Sequence, residues 1–158
     1  MEYIIALDMS LSSSGVAIFS QDGKLQKLIT IETDAKSETQ IRLKKIGREL
    51  EKLRKEYKPR TVVSEHGFYR FHKSTQLLFM CHGVSQYVFA DKEIIYYYPM
   101  TIRKILCGKG NVDKEYVRDF INKKYPKIKF RNYDESDAVA IGMAFFIDKK
   151  IIKGVWDD

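Results

Sequence analysis

Cysteine and histidine are scarce in this sequence, which limits the kinds of site it can build. There are two cysteines, Cys81 and Cys107, and three histidines, His66, His72 and His82. Neither cysteine belongs to a CxxC pair or to a Cys/His zinc spacing, and the histidines show no local metal-ligand spacing. A disulfide scaffold and a zinc-binding module are therefore excluded, and we expect two reduced thiols in the core.

Long hydrophobic runs are missing as well. No stretch approaches the roughly 20 apolar residues of a membrane span, and Met1-Glu2-Tyr3 lacks the basic start of a secretory signal. We therefore expect an intracellular, cytoplasmic protein without a membrane partner. No linker, repeat or low-complexity segment divides the chain, and 158 residues with 44% hydrophobic content predict a single domain over residues 1–158.

Positive charge is in excess. Lys and Arg number 28 against 21 Asp and Glu, which gives a formal net charge of +7. This balance favours a polyanionic partner such as nucleic acid. The alternative is a soluble protein that happens to be basic.

Apolar runs and helical spacings predict an alternation of strands and helices. Asp22-Gly23 marks a hairpin turn, and Pro59 and Pro99 mark the ends of elements. The predicted strands are Tyr3–Leu7, Gly15–Ser20, Lys24–Thr33, Thr61–Val63 and Glu93–Tyr98. The predicted helices are Gln40–Tyr57, Ser74–Ala90, Thr101–Leu106, Lys114–Tyr125 and Asp134–Lys149.

The order of these elements predicts an α/β fold. Three strands in a meander, followed by strands that alternate with helices, are typical of a mixed sheet with helices on both faces. A mixed five-stranded sheet of this kind is the RNase H-like pattern.

Acidic residues fall at the ends of the predicted elements. Asp8 follows the first strand, Glu65 follows the fourth, and Asp134 and Asp137 lie on one face at the start of the last helix. Because ends of neighbouring strands meet at one edge of a sheet, these carboxylates are predicted to converge. Such a cluster repels itself, and hard divalent cations relieve the repulsion through oxygen ligands.

A structural interpretation of each acid remains open. Asp134 is a plausible helix N-cap, and acids in a first turn interact favourably with the helix dipole. Glu65 is compatible with an ordinary exposed strand end. Asp8 is harder to explain in this way because it follows five mostly apolar residues.

Four segments carry these acids and their surroundings. They are Ile4–Asp8 with Gly15–Ile18, Val62–Phe68, Gly108–Lys114 and Asp134–Ala138. In order and spacing they resemble the first hairpin, the catalytic Glu strand, the Gly-rich turn and the final acidic helix of the RuvC family of Holliday junction resolvases. The resemblance is specific because all four segments occur, and they cover nearly the whole chain.

This resemblance implies a metal-dependent endodeoxyribonuclease that acts on branched DNA, four-way junctions above all. Asp8, Glu65, Asp134 and Asp137 would be the catalytic metal ligands, with two Mg²⁺ or Mn²⁺ ions in each active site. Lys114 would lie near the scissile phosphate and offset its developing charge. The glycines before it allow close approach to a phosphate, and the alternative is a solvated lysine at a helix start.

Aromatic and basic side chains alternate in residues 68–73. Aromatic faces stack on unpaired bases at a branch point and cations meet phosphates, so Phe68 and Tyr69 are predicted to probe the junction. The alternative is core packing at a strand–helix corner. The predicted DNA contacts are Phe68, Tyr69, Arg70, Lys73, Lys109 and Lys114.

The second helix is apolar on more than one side. A helix of this kind must be widely buried, and the resemblance implies that it forms the interface of a homodimer, which would match the approximate two-fold symmetry of a four-way junction. The alternative, packing inside one chain, accounts for about half of its apolar residues, which are Leu77, Leu78, Met80, Cys81, Val84, Tyr87, Val88 and Phe89.

Residues 9–12 depart from the cellular members of the family. Met-Ser-Leu-Ser follows Asp8 where those proteins usually carry Pro-Gly, and this is closer in character to phage-encoded members. Two other functions stay open on the sequence alone: a less selective flap or fork debranching endonuclease and a catalytically silent junction-binding protein, although the latter is disfavoured because all four acids are present. A further alternative is an actin-like ATPase domain. The last needs a second domain and phosphate-binding loops, for which 158 residues leave no room.

Overall fold

A computed structural model describes residues 2–67 and 72–154, and its elements follow the predicted order. The strands are β1 (Tyr3–Asp8), β2 (Ser13–Ser20), β3 (Leu25–Glu32), β4 (Thr61–Glu65) and β5 (Glu93–Tyr97). The helices are α1 (Thr39–Tyr57), α2 (His72–Val88), α3 (Pro99–Cys107), α4 (Lys114–Lys124) and α5 (Tyr133–Asp148).

The strands form one mixed sheet in the order β3-β2-β1-β4-β5. The first three strands are antiparallel neighbours, whereas β4 runs parallel to both β1 and β5. This confirms the predicted five-stranded mixed sheet. Because β1 and β4 are parallel and paired up to Leu7 and Ser64, Asp8 and Glu65 follow side by side at the same edge.

Helices cover both faces of the sheet. One core contains α3, α4 and α5 residues packed against alternate strand positions such as Ala6, Phe19 and Val63. The other contains α1 and α2 residues packed against the opposite positions, among them Ile5 and Leu7. The period-two alternation of a strand therefore divides the same run of apolar residues between two cores.

Helix α5 is central to the fold, and the sequence underestimates its burial. Helical spacing in the sequence gives one apolar face with Ala138, Ile141, Gly142, Phe145 and Phe146, yet every residue from 138 to 146 is buried. The helix lies across β1, β2, β3 and β4, with α3 and α4 beside it. A Cβ on Gly142 would lie 2.3 Å from the Phe19 ring, so a glycine is needed for this close packing.

Several predicted boundaries are corrected by the structure. Pro99 begins α3 instead of only ending the strand before it, because proline suits the first turn of a helix. Helix α5 has Asn132 as its N-cap, so the alternative role of Asp134 as N-cap is wrong. Cys81 and Cys107 are buried and unbonded, as predicted. In the described part of the chain, no helix is both long and apolar enough to cross a membrane.

Candidate active site

The predicted acids stand on three elements that meet at one edge of the sheet. Asp8 ends β1, Glu65 ends β4, and Asp134 and Asp137 lie in the first turns of α5. Gly15 pairs with Asp8 across the β1–β2 hairpin. A Cβ on Gly15 would lie 1.9 Å from the Asp134 carbonyl oxygen, so only glycine lets α5 begin this close to β2, beside the strand that carries Asp8.

Asp8 lies in the electrostatic field of the other acids. Burial raises the pKa of its carboxyl well above the ordinary value, and the nearby charges of Asp137, Glu65 and Asp134 raise it further, while Lys114 opposes the shift. The negative charge of Asp8 is therefore poorly compensated within the protein.

Glu65 shares this field. Burial raises its pKa above the ordinary value, and Asp137 contributes in the same direction. Lys114 and Arg103 lower it. A cavity of about 30 Å³ separates Glu65 from Asp137 and is also lined by the two cations, which is room enough for a water-sized ligand.

Asp137 is held by two cations of α4. The Arg118 guanidinium donates through Nε to Oδ1 at 3.3 Å and through Nη2 to Oδ2 at 3.2 Å. The Lys114 ammonium lies 3.7 Å from Asp137 Oδ2 and remains more than half exposed. Arg118 also binds Glu115 and stacks on the Tyr133 ring at 3.7 Å. Asp137 is thus held in a paired geometry by Arg118, with the exposed side chain of Lys114 beside it.

Asp134 is oriented by the adjacent strand. The hydroxyl of Ser13, the first residue of β2, donates to Asp134 Oδ2 at 2.5 Å. The start of α5 is anchored further by Asn132, whose side-chain oxygen accepts from the Glu135 amide at 3.1 Å.

Glu135 is an acid that serves the fold. It is 2% exposed. Its carboxylate accepts from Thr30 Oγ1 at 3.0 Å and from the backbone amide of Arg131 at 2.8 Å. These contacts hold the start of α5 against β3. The backbone that carries Asp134 and Asp137 is therefore fixed.

The donor set suits a hard divalent cation, because carboxylate oxygens are its usual ligands and a bound cation would relieve the repulsion around Asp8. Within residues 2–67 and 72–154, no three histidine, cysteine or acidic side chains stand close enough to hold an ion without moving. Arg118 occupies both oxygens of Asp137. Ion binding therefore requires Asp137 to turn away from Arg118 or to share an oxygen with it.

The predicted DNA contacts divide into two groups. Phe68, Tyr69 and Arg70 lie outside the described residues. The lysines Lys73, Lys109 and Lys114 are all exposed, the first at the start of α2, the second in the loop after α3 and the third at the start of α4.

Sequence reasoning missed Arg118, Arg103 and Ser13. Arg118 follows Lys114 by four residues, which places both on one face of α4, and this spacing is the signal that could have revealed it. Ser13 and Arg103 carry no local signal, because only the tertiary fold brings them to the acids.

Comparison with known proteins gives one family. The family model described as "Crossover junction endodeoxyribonuclease RuvC" matches residues 4–145. The protein of that name from Rickettsia bellii is 31% identical over 153 residues, covering 92% of this chain and 98% of its own. The one from Alkaliphilus oremlandii is 30% identical over 147 residues, with 89% and 90% covered.

Solved structures give the same fold. The structure of Thermus thermophilus RuvC superposes with a TM-score of 0.80 at 20% sequence identity, and covers 94% of this chain and 96% of its own. The Thermus thermophilus RuvC complex with a Holliday junction substrate has a TM-score of 0.81 at 17% identity, with 95% and 96% covered. At these identities the likeness supports the fold, and the family rests on the sequence matches.

Proposed function

The chain belongs to the RuvC family of crossover junction endodeoxyribonucleases, and we propose that it resolves Holliday junctions by metal-dependent hydrolysis of phosphodiester bonds. The observation that carries this proposal is the partly buried Asp8 at the strand edge, with Asp137, Glu65 and Asp134 in its field. An acidic pocket of this kind in a chain of net charge +7 combines a place for cations with a body that attracts DNA.

We propose Asp8, Glu65, Asp134 and Asp137 as the catalytic ligands of two Mg²⁺ or Mn²⁺ ions. Bound divalent cations activate a water for in-line attack and stabilise the leaving oxygen. The protein's own residues orient the donors: Ser13 holds Asp134, and the α5 backbone fixes the separation between Asp134 and Asp137.

Lys114 is the proposed electrostatic partner of the scissile phosphate. Its ammonium group is more than half exposed and lies 3.7 Å from Asp137. A cation in this position offsets the charge that develops on the phosphate oxygens in the transition state. Phe68, Tyr69, Arg70, Lys73 and Lys109 remain the proposed contacts to the rest of the branched DNA.

The proposed homodimer interface is the α1–α2 surface. A groove of about 690 Å³ runs between the two helices and is lined by Leu43, Gly47, Val84 and Val88 among others. On α2, Tyr87 is 81% exposed, and Phe79 and Met80 are 48% and 38% exposed. A two-fold pairing through this surface would cover the apolar groups and give two active sites for the two cuts of a junction.

Residues 9–12 support a finer placement among the phage-encoded members, because Met-Ser-Leu-Ser follows Asp8. We propose that the protein acts in the cytoplasm of a bacterium or of a phage-infected host cell; its similarity to bacterial proteins such as that of Rickettsia bellii supports this proposal.

The test is cleavage of a labelled immobile four-way junction in Mg²⁺, with fork and linear duplex DNA as comparators. We expect paired symmetric nicks from the wild type and a loss on the order of a hundredfold or more for Asp8→Asn, because removal of one charge-stabilising group has effects of this size. Asp119→Asn, an exposed acid on α4, is the matched control and should cut normally.

Two results would change the proposal. Equal rates on forks and flaps would make the protein a general debranching nuclease. Tight junction binding without cutting in Mg²⁺ or Mn²⁺ would leave a junction-binding protein.

Thermal unfolding in EDTA gives a second readout, independent of cleavage. The pKa of the Asp8 carboxyl is higher in the folded protein than in the unfolded chain. Between these two pKa values the folded protein binds more protons than the unfolded chain, so the free energy of unfolding falls as the pH rises through this range. We expect Asp8→Asn to raise the Tm at neutral pH, with a smaller gain at acidic pH. Added Mg²⁺ should raise the Tm of the wild type more than that of the variant.

A further inference from the structure

A second pocket lies beside the acidic site, between α4 and α5. Its volume is about 730 Å³. The lining residues are Arg118, Asn122, Ile128, Lys129, Phe130, Arg131, Asn132, Tyr133 and Ser136. None of the predicted site residues and none of the proposed DNA contacts above lines this pocket.

The pocket is positively charged. Arg118, Lys129 and Arg131 line it, and among the described residues no acid does; Arg118 is paired with Glu115 and Asp137, so Lys129 and Arg131 carry most of the excess charge. The sequence from 121 to 133 holds five cations and no acid, because Lys123, Lys124 and Lys127 add to the two of the lining. Arg131 has a distant partner in Glu135 at 3.9 Å, but its side chain is 67% exposed. A polyanion is the ligand that this charge distribution fits.

The pocket also presents an aromatic surface. Tyr133 is 61% exposed even though the Arg118 guanidinium covers its ring at 3.7 Å. Phe130 lines the same pocket and is partly buried against the core. Cations next to an exposed ring are the usual components of surfaces that hold a nucleic acid strand, in which phosphates meet the cations and bases or sugars lie on the ring.

Two residues connect this pocket to the catalytic acids. Arg118 lines the pocket and binds both oxygens of Asp137. Ser136, also in the lining, is adjacent to Asp137 in the chain. If a phosphate of a DNA strand lies at Asp137, the neighbouring nucleotide on the α4–α5 side of that phosphate meets this pocket.

We propose that the α4–α5 pocket binds a nucleotide of the DNA strand beside the scissile phosphate, with Lys129 and Arg131 on its backbone and Tyr133 on its base or sugar. This inference rests on the proposed function, because it assumes that the scissile phosphate lies at the acidic site. The pocket fixes the register of the strand, and it carries little sequence preference because phosphate and ring contacts are made to any base.

The chain offers a matched pair of variants for the test. Lys127 and Lys129 are exposed lysines two residues apart in one loop, and Lys127 is not among the residues of the lining. Lys127→Ala and Lys129→Ala remove the same charge from the same segment, so their difference isolates the pocket from the general basic field.

Binding is measured by fluorescence anisotropy of a labelled four-way junction in EDTA across a salt series. We expect Lys129→Ala to bind several-fold more weakly and to lower the slope of log K against log salt by about 1, as loss of one phosphate contact does. Lys127→Ala should stay near the wild type on both measures. Equal losses in the two variants overturn the proposal.

A second measurement assigns the contact to a phosphate near the cut. Single methylphosphonates, which are neutral, are placed at successive positions on each side of the cleavage site. We expect one substitution to weaken binding of the wild type and of Lys127→Ala, and to leave Lys129→Ala unchanged because its contact is already lost. If every position weakens all three proteins alike, no phosphate is bound at Lys129 and the proposal fails.

The proposed function is tested by a separate measurement, which is cleavage of the junction by the wild type in Mg²⁺. If the wild type resolves junctions and the two lysine variants behave alike, the pocket proposal alone is wrong. If the wild type binds junctions and does not cut, the catalytic proposal is wrong, and a loss confined to Lys129→Ala still supports the pocket as a strand-binding site.

Discussion

Helices α2 and α5 are both apolar on several sides, but the fold uses them differently. In α5 every residue from 138 to 146 is buried. In α2, Cys81 and Val88 are buried in the same way, whereas Phe79, Met80 and Tyr87 remain exposed. Composition predicted broad burial for α2, whereas the burial of α5 exceeds the single apolar face that its helical spacing indicates.

Position in the fold explains the difference. Helix α5 crosses the centre of the sheet with α3 and α4 on its flanks, so a neighbour covers each of its sides. Helix α2 lies in the outer layer against α1 and one core. Topology therefore decides how much of an apolar helix is buried by its own chain, and the exposed side of α2 is the part left for the proposed dimer interface.

Among the variants that test this difference between α5 and α2, Phe146→Ala is expected to lower stability most. Phe146 is fully buried on α5 and packs against Phe19 with ring centroids 5.3 Å apart. The truncation should lower the free energy of unfolding by about 3–5 kcal/mol, measured by urea denaturation.

The matched variant is Tyr87→Ala on α2, studied at a concentration low enough to keep the chain monomeric. Tyr87 is 81% exposed, so its loss should hardly change the midpoint of unfolding. A large destabilisation of the monomer would mean that the two helices do not differ as described.

Tyr87→Glu tests whether the exposed side of α2 is covered by a second copy of the chain. If α2 completes its burial against a second copy, a charge at its most exposed aromatic residue should weaken the dimer by about 2 kcal/mol or more, as at a central interface residue. Sedimentation equilibrium measures the effect. Tyr116→Glu, an exposed tyrosine on α4, is the control. A wild type that stays monomeric at high concentration contradicts the proposed interface.

Asn132→Ala tests how helix α5 begins. The Asn132 side chain accepts from the Glu135 amide at the start of α5. Loss of this cap should lower the free energy of unfolding by about 1 kcal/mol. Asn111→Ala, in the exposed loop before α4, should have no measurable effect. Equal stability of the two variants would show that the contacts of Glu135 suffice to hold the helix start.

Local pattern was enough to predict the element order and the mixed sheet. Period-two and period-3.6 repeats are properties of short segments, and Asp22-Gly23 marked the β2–β3 hairpin, where Gly23 has a φ of +82°. The same local rules were wrong at Pro99, because a proline that ends a strand also suits the first turn of a helix.

The site was harder to predict than the fold. Its acids follow from element ends, so Asp8 and Glu65 could be paired in advance. The partners that orient the acids could not, because Ser13 is 121 residues away from Asp134 in the chain, and Arg118 lies in a run of charges typical of any exposed helix. Glu135 looked like its neighbours and is instead a buried support of the helix start.

Gly15 makes no contribution to chemistry, yet its substitution should resemble the loss of a catalytic acid. Any side chain there would collide with the Asp134 carbonyl and push the start of α5 away from β2, and so away from Asp8 on the neighbouring strand. In a survey of all single substitutions scored by activity, position 15 would be as intolerant as position 8. A parallel score for protein abundance separates them. Variants at position 8 should accumulate normally because they lose only a charge, whereas variants at position 15 should be depleted because any side chain there clashes with the start of α5.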